Sequence, residues 1–321
     1  MIDLLLGGSP CQGFSFAGKQ LNFSDPRSKL FFDFVKALEV LKPKYFLLEN
    51  VKMKKEYEDI ITQHLGVKPI EINSALVSAQ DRERLYWTNI PNIKQPEDLH
   101  IYIDDIVQND IEHKYLPKTR LDYTNYDKTK VDKTIFKNTA TQIGNSRKFG
   151  NAVRSNGKAF TLRRVNPNGI IDENYNIREF TPIEAERLQT LPDNYTLIDG
   201  IKNKQRCEAV GNGWTVDVIA HILSFIPETY LHTVVSLFDG ISCGQVALER
   251  AGKIYNQYYA SEIDKYTIAV TQKNYPHTMQ LGDVTKIDWN AFLDRLDLIQ
   301  KVSLSHFMNK ELTYARFNKY F

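Results

Sequence analysis

Apolar residues that run consecutively, rather than on alternate positions, constrain this chain more than any other feature. They fill IDLLLGG at residues 2–8, YFLLENV at 45–51, TVVSLFDG at 233–240 and YYASEID at 258–264. A strand with one wet face alternates polar and apolar side chains. A run that is apolar throughout is buried on both faces, as in a parallel sheet covered by helices. Helix-like segments stand between these runs: RSKLFFDFVKALEVL after the first, a polar helix after the second, CGQVALERAG and KYTIAVTQKN after the third and fourth. INSALVS, RLYWTNI and MQLGDV read as further strands, so the expected fold is α/β with a mostly parallel sheet.

Between the two strand–helix series the texture changes. From Pro91 to Asn176, Asn, Lys, Thr, Asp and Tyr dominate, and Gly-Asn or Asn-Gly pairs recur at 144, 150, 156 and 168. This is too long for one loop in a compact domain, so residues 91–177 are expected to form a small separate lobe. Residues 1–90 and 233–299 would be two parts of the main domain, 178–232 a junction returning into it, and 300–321 a tail of unassigned role. Thr181, Pro182 and Glu184 predict a capped helix that stops before Pro192, and Val216, Ile219, Ala220 and Leu223 share one helical face.

No run approaches eighteen apolar residues, which predicts a cytoplasmic protein without a membrane partner. The three cysteines at 11, 207 and 243 are in no metal-ligand spacing, so no metal is expected. Net charge is only +2, yet from Lys133 to Ile171 there is no acid and eight basic residues. That run suits a polyanion or, equally, a solvated basic face.

Several residues could carry chemistry. SLFDGISCG places Gly240 and Gly244 between a strand and a helix, Glu262 ends the next strand, and Asp283 ends the one after. A tight turn followed by acids at successive strand ends suits a nucleotide-type cofactor. Cys11, after Pro10, and Glu49 lie at two other strand ends, with Arg82 and Arg84 before a third strand. A thiol, a carboxyl group and two guanidinium groups suit covalent attack on an electron-poor ring. Glu49 could also be a capped strand end, and the arginines ordinary surface charge.

GGSPCQGFSFAGK, ENV, QDRER, LFDGISCG, SEID, GDV, TPIEAERLQTLPD and GNGWTV together resemble the motif set of the DNA cytosine-5 methyltransferases. The likeness spans the chain except the polar lobe and the tail. RSKLFFDF, ALVSAQDRERLYWTNIP and WTVDVIAHI further resemble the animal de novo methyltransferases. The order differs from most of that family, where the cofactor turn precedes the Pro-Cys motif, so the chain resembles a circular permutation. Arg295 to Ile299, RLDLI, resembles the opening MIDLL and is expected to repeat that strand.

The resemblance implies a Rossmann-like, seven-stranded S-adenosylmethionine-dependent methyltransferase sheet with a target-recognition lobe. It assigns Cys11 to attack on cytosine C6, Glu49 to N3, and Arg82 and Arg84 to the C2 oxygen of a base flipped out of duplex DNA. For S-adenosylmethionine it implies Phe238, Asp239 and Gly240 at the turn, with Phe238 against adenine, and Glu262 on the ribose. Ile263 and Val284 would cover the adenine faces, Asp283 would meet its amino group, and Pro10 and Leu30 would complete the wall. Asn212 and Trp214 would stand near the methionine end. Ser242 and Cys243 depart from the small glycines of many relatives.

DNA contacts are expected from the loop Gln12 to Lys19, including Ser15, and from Arg147, Lys148 and Arg154. Arg163 and Arg164 stand equally for DNA contacts and for structural residues at the lobe's junction. A monomer is expected, with a restriction endonuclease acting on the same site as its partner. The alternatives are a DNA-binding relative without catalysis and a transfer-RNA cytosine-5 methyltransferase.

Overall fold

The computed structural model describes residues 2–10, 30–108, 111, 119–120, 139–142, 153–154, 156–162, 168–171 and 176–298. Strands β1 (Leu4–Gly7), β2 (Tyr45–Val51), β3 (Ile70–Asn73) and β4 (Glu83–Thr88) come from the first series, with helices α1 (Leu30–Leu41) and α2 (Lys55–Leu65) between them. The second series contributes β10 (Tyr230–Leu237), β11 (Ile254–Ser261) and β12 (Met279–Gln280), linked by α7 (Cys243–Arg250) and α8 (Lys265–Asn274). They form one seven-stranded sheet in the order β12-β11-β10-β1-β2-β4-β3. The expected α/β, mostly parallel methyltransferase sheet is the one observed.

Its centre is β1, which pairs in parallel with β10 on one side and β2 on the other. All four of its residues are buried, and six of the seven in β2. Asp3 fastens the junction: its Oδ2 accepts the His232 and Thr233 backbone N–H groups at 2.8 and 3.0 Å. Two apolar clusters cover the faces. One gathers Leu4, Leu6 and Leu47 with α6 (Val216–Ser224) and α7; the other gathers Leu5, Phe31, Phe34, Trp87 and Trp289. Val216, Ile219, Ala220 and Leu223 are buried as their spacing predicts, and Val218 and Ile222 are buried too, so α6 is covered on more than one side.

Three expectations need correction. Strand β4 runs antiparallel to both β2 and β3, with Val51 opposite Arg84. An antiparallel strand starts where its neighbours end, so Arg82 and Arg84 still meet the carboxyl ends of β1 and β2. INSALVS is strand only to Asn73, because the Asn73 side chain accepts the Ala75 N–H and starts a 3-10 turn over Ser74–Leu76. RLDLI is no second copy of β1: residues 289–298 are helical. Trp289, Phe292 and Leu296, spaced three and four apart, are buried on one face, and Asp288 Oδ1 caps the Asn290 and Ala291 N–H groups.

In the polar region, short strands β5 (Thr119–Arg120), β6 (Thr139–Gln142), β7 (Val153–Arg154), β8 (Asn168–Ile171) and β9 (Asn176–Glu179) form an antiparallel sheet. A short helix α3 (Ile103–Ile106) buries both its isoleucines in the core beneath the main sheet. Helix α4 (Pro182–Leu188) starts as predicted, with Thr181 Oγ1 accepting the Glu184 N–H and Glu184 returning to the Thr181 N–H. Helix α5 (Asn203–Asn212) follows and leads into Gly213 and Trp214. No described helix is long and apolar enough to cross a membrane.

Candidate active site

Glu49 occupies the end of β2, nine-tenths buried. Its two oxygens face different elements. Trp214 Nε1, just after α5, donates to Oε2 at 3.2 Å, while Arg84 Nε of β4 stands 2.9 Å from Oε1. That Arg84 N–H is buried and makes no aligned hydrogen bond, so Arg84 meets Glu49 as an ion pair. The next residue, Asn50, turns towards β1: its Nδ2 donates to Ser9 Oγ at 3.0 Å and to Ser9 O at 3.3 Å. The carboxylate is thereby tied to the turn Gly8-Ser9-Pro10 that leads into Cys11. Asn50 was not foreseen as a site residue, although its place in ENV pointed to it.

Arg82 is buried, and its guanidinium is held by the chain itself. Nη1 donates to Leu162 O at 3.2 Å and Nη2 to Gly213 O at 3.0 Å. Behind it, two buried amides continue the network. Gln80 donates to Leu188 O and Gln189 Oε1 and accepts the Leu162 N–H; Gln189 donates to Val210 O and Gly213 O. Lys158 donates to the carbonyls of Ala75, Ser78 and Ile101, and burial pulls its ammonium below the usual lysine range. These partners lie more than twenty residues apart or on separate segments, and only the fold reveals them.

On the other half of the same sheet edge, the chain leaves β10 through a tight turn. Phe238, Gly240 and Ser242 all adopt left-handed backbone angles, with φ of 58°, 59° and 61°. A Cβ at Gly240 would meet no protein atom, so the glycine leaves its outer side open to a ligand. Ser242 takes the conformation that a glycine would take more cheaply. Gly244 is needed for packing, since a Cβ there would lie 2.7 Å from Tyr258 Oη and 2.9 Å from Leu6 Cδ1.

Glu262 accepts Gly240 N–H on Oε2 at 2.8 Å and the N–H groups of Ile263 and Asp264 on Oε1 at 2.7 and 2.9 Å. Asp239 takes the Tyr258 hydroxyl on Oδ1, while its buried Oδ2 lacks a described partner. Burial pushes its carboxyl up to about 6. The Thr285 hydroxyl and N–H hold Asp283 below the usual carboxylate range. Ile263 is 74% exposed, an unusual position for isoleucine beside a fixed carboxylate. Phe238, Leu30 and Val284 border one apolar cluster, and Asp33 on α1 feels the charge of Asp283.

An orphaned buried carboxylate oxygen, an open glycine and an uncovered apolar side chain together fit an adenosine-bearing cofactor. Pro10 lies on the turn after β1, half-buried, and Asn212 is exposed at the end of α5. Cys11, Gln12, Ser15, Lys19, Arg147, Lys148, Arg163 and Arg164 lie outside the described residues. Of Arg154 only the backbone, in β7, is described.

The sequence profile of the C-5 cytosine-specific DNA methylases matches residues 1–228 and 232–301. The chain belongs to that family. It is 31% identical over 245 residues to the type II methyltransferase M1.ScrFI of Lactococcus lactis subsp. cremoris, a match covering 68% of this chain and 60% of that protein. Against M.NlaX of Neisseria lactamica it is 30% identical over 240 residues, 68% of this chain and 74% of that one. M.HhaI of Haemophilus parahaemolyticus is 27% identical over 250 residues, covering 68% and 74%. The reaction class expected from the motifs agrees with this family, whose methyl donor is S-adenosylmethionine. These relatives are bacterial type II enzymes, which corrects the expected placement beside the animal de novo methyltransferases. The segments that suggested it include α1 and α6, whose apolar spacing is dictated by packing on the sheet.

Proposed function

We propose that this chain is a type II DNA cytosine-5 methyltransferase that modifies a specific duplex site within a restriction-modification system. The observation that carries this reading is the placement of Glu49, between a tryptophan donor and an arginine, beside the turn Gly8-Ser9-Pro10 that Cys11 follows in sequence. Bound S-adenosylmethionine would supply an electrophilic methyl group, held by Glu262, Asp239, Gly240 and Asp283, with Phe238, Ile263, Val284, Leu30 and Pro10 around its adenine. Asn212 and Trp214 would flank its methionine end.

Cytosine C5 is a weak nucleophile. The Cys11 thiolate adds to C6, forming the S–C6 bond, and the displaced electron pair moves through the ring to N3, where Glu49 supplies the proton. Arg84, paired with Glu49, would hold the C2 oxygen as charge builds on the ring. Arg82, bound to Leu162 and Gly213, shapes the pocket wall and adds its positive field. With a methyl on C5, loss of the C5 proton to water and cleavage of S–C6 release the thiolate, and the N3 proton returns to Glu49. The target base must leave the duplex to reach this pocket.

The lobe is read as the target-recognition region. Arg147, Lys148, Arg154, Arg163 and Arg164 would meet the DNA there, and Gln12, Ser15 and Lys19 would meet it from the catalytic loop. The chain is also read as permuted relative to the family, a reading supported by β1 lying between β2 and the later β10. The proposed partner is an endonuclease of the same specificity, and the proposed working form a monomer.

The test is incubation with radiolabelled S-adenosylmethionine and unmethylated duplex DNA, followed by mapping of the modified base. Label at cytosine C5 is expected, along with loss of turnover and of trapping by 5-fluorocytosine DNA in Cys11→Ser. Label in transfer RNA alone, or at cytosine N4 or adenine, refutes the reading. A gene reordered to place residues 230–298 before residues 2–228 should remain active if the permutation is correct.

A further inference from the structure

Trp214 touches both halves of the site. Its Nε1 donates to Glu49 Oε2 at 3.2 Å, and its far edge reaches α7, where its Cζ3 would lie 3.7 Å from a Cβ at Gly244. An indole N–H is a donor and never an acceptor. It therefore fixes Oε2 as an accepting oxygen while Arg84 Nε faces Oε1 at 2.9 Å, so the two donors together set the rotation of the Glu49 carboxyl group.

The close approach depends on Gly8. A Cβ there would lie 2.8 Å from Trp214 Nε1 and 3.4 Å from Glu49 Oε2. A side chain at position 8 would thus separate the indole from the carboxylate. Trp214 is itself held at a fixed height: the preceding Gly213 carbonyl accepts from both Arg82 and Gln189, and Thr215 donates to Gln189 Oε1 at 2.8 Å.

We propose that Trp214 is a positioning residue for Glu49, its N–H fixing the rotation in which the carboxyl group meets the target base, in addition to its place beside the methyl donor. The inference rests on the role given to Glu49 above. Phenylalanine at position 214 retains an aromatic ring, smaller than the indole, and lacks the donor.

Single-turnover methylation of unmethylated duplex DNA, together with calorimetric binding of S-adenosylhomocysteine, tests it. Trp214→Phe should lower the rate constant about tenfold to a hundredfold, the usual value of a hydrogen bond to a charged group, while cofactor-product affinity stays within about threefold. In a Glu49→Gln background the same substitution should change the rate less than about twofold, because there is no longer a carboxylate to orient. Gly8→Ala should reproduce the Trp214→Phe phenotype with the indole intact.

A Trp214→Phe rate within about twofold of wild type overturns the inference. So do losses that multiply in the double variant, or a rate loss matched by an equal loss of S-adenosylhomocysteine affinity. Failure of the underlying reading is separately visible, since Glu49→Gln alone would then methylate at the wild-type rate.

Discussion

Arg206→Met should destabilise the protein by about 3 kcal/mol, at the lower end of the 3–5 kcal/mol typical of breaking a buried ion pair. Glu186, fully buried on α4, receives Arg206 Nη2 on Oε1 at 2.9 Å, and Arg206 Nε also donates to Thr196 Oγ1 at 3.0 Å. Methionine fills much of the arginine volume, so the cavity contribution is small and the stranded carboxylate dominates. That carboxylate keeps the Asn194 and Thr196 N–H groups at 2.7 and 2.9 Å and the Thr196 hydroxyl, which holds the cost to the lower end. At about 2 °C per kcal/mol for a chain of this size, thermal unfolding should fall by on the order of 6 °C. Because α5 leads into Gly213 and Trp214, S-adenosylhomocysteine affinity should fall as well. Paired urea and thermal unfolding measure the effect. A loss below about 1 kcal/mol would refute the reasoning, since an exposed pair is worth no more than that.

Three further outcomes are expected. The Asp239 carboxyl, raised to about 6 by burial, holds its proton more tightly folded than unfolded, so its contribution to stability declines as pH rises from about 4 to about 6 and is level above. Halved for its partial exposure, the shift predicts that Asp239→Asn gains about 1–2 kcal/mol at pH 7.5 and that the gain disappears towards pH 4, checked by thermal unfolding across that range. Gly244→Ala should cost about 1–3 kcal/mol by driving a methyl group into Tyr258 and Leu6, read from urea midpoints. Burial raises the thiols of Cys207 and Cys243 to about 11 and about 12, so brief iodoacetamide treatment at pH 8 should leave both unmodified by mass spectrometry.

The sheet was legible because full burial on both faces writes itself as unbroken apolar runs, and the Thr181 cap because its donors and acceptors lie three residues apart. Strand direction left no such trace: RLYWT would serve equally well parallel or antiparallel. RLDLI imitates a strand in composition, yet its residues 295–298 continue the helix that buries Trp289, Phe292 and Leu296 on one face. Glu49 could be found from its strand end and motif. The Trp214 donor, the Asn50 anchor on Ser9 and the Gln80–Gln189 amide pair could not, because each joins segments distant in sequence. Arg82 shows the same limit, as its motif singled out the arginine but not the two backbone carbonyls that hold its guanidinium.

The pairing of Leu4 with Val234 also sets a schedule for folding. On the ribosome β1 emerges long before β10, so one edge of what becomes the central strand stays unpaired while the intervening chain is made, on the order of ten to fifty seconds at usual elongation rates. Contacts so distant in sequence slow the search for the native state. Throughout that interval a four-residue apolar edge is available to any other strand, which makes chaperone capture and self-association the main hazards of biogenesis for this architecture.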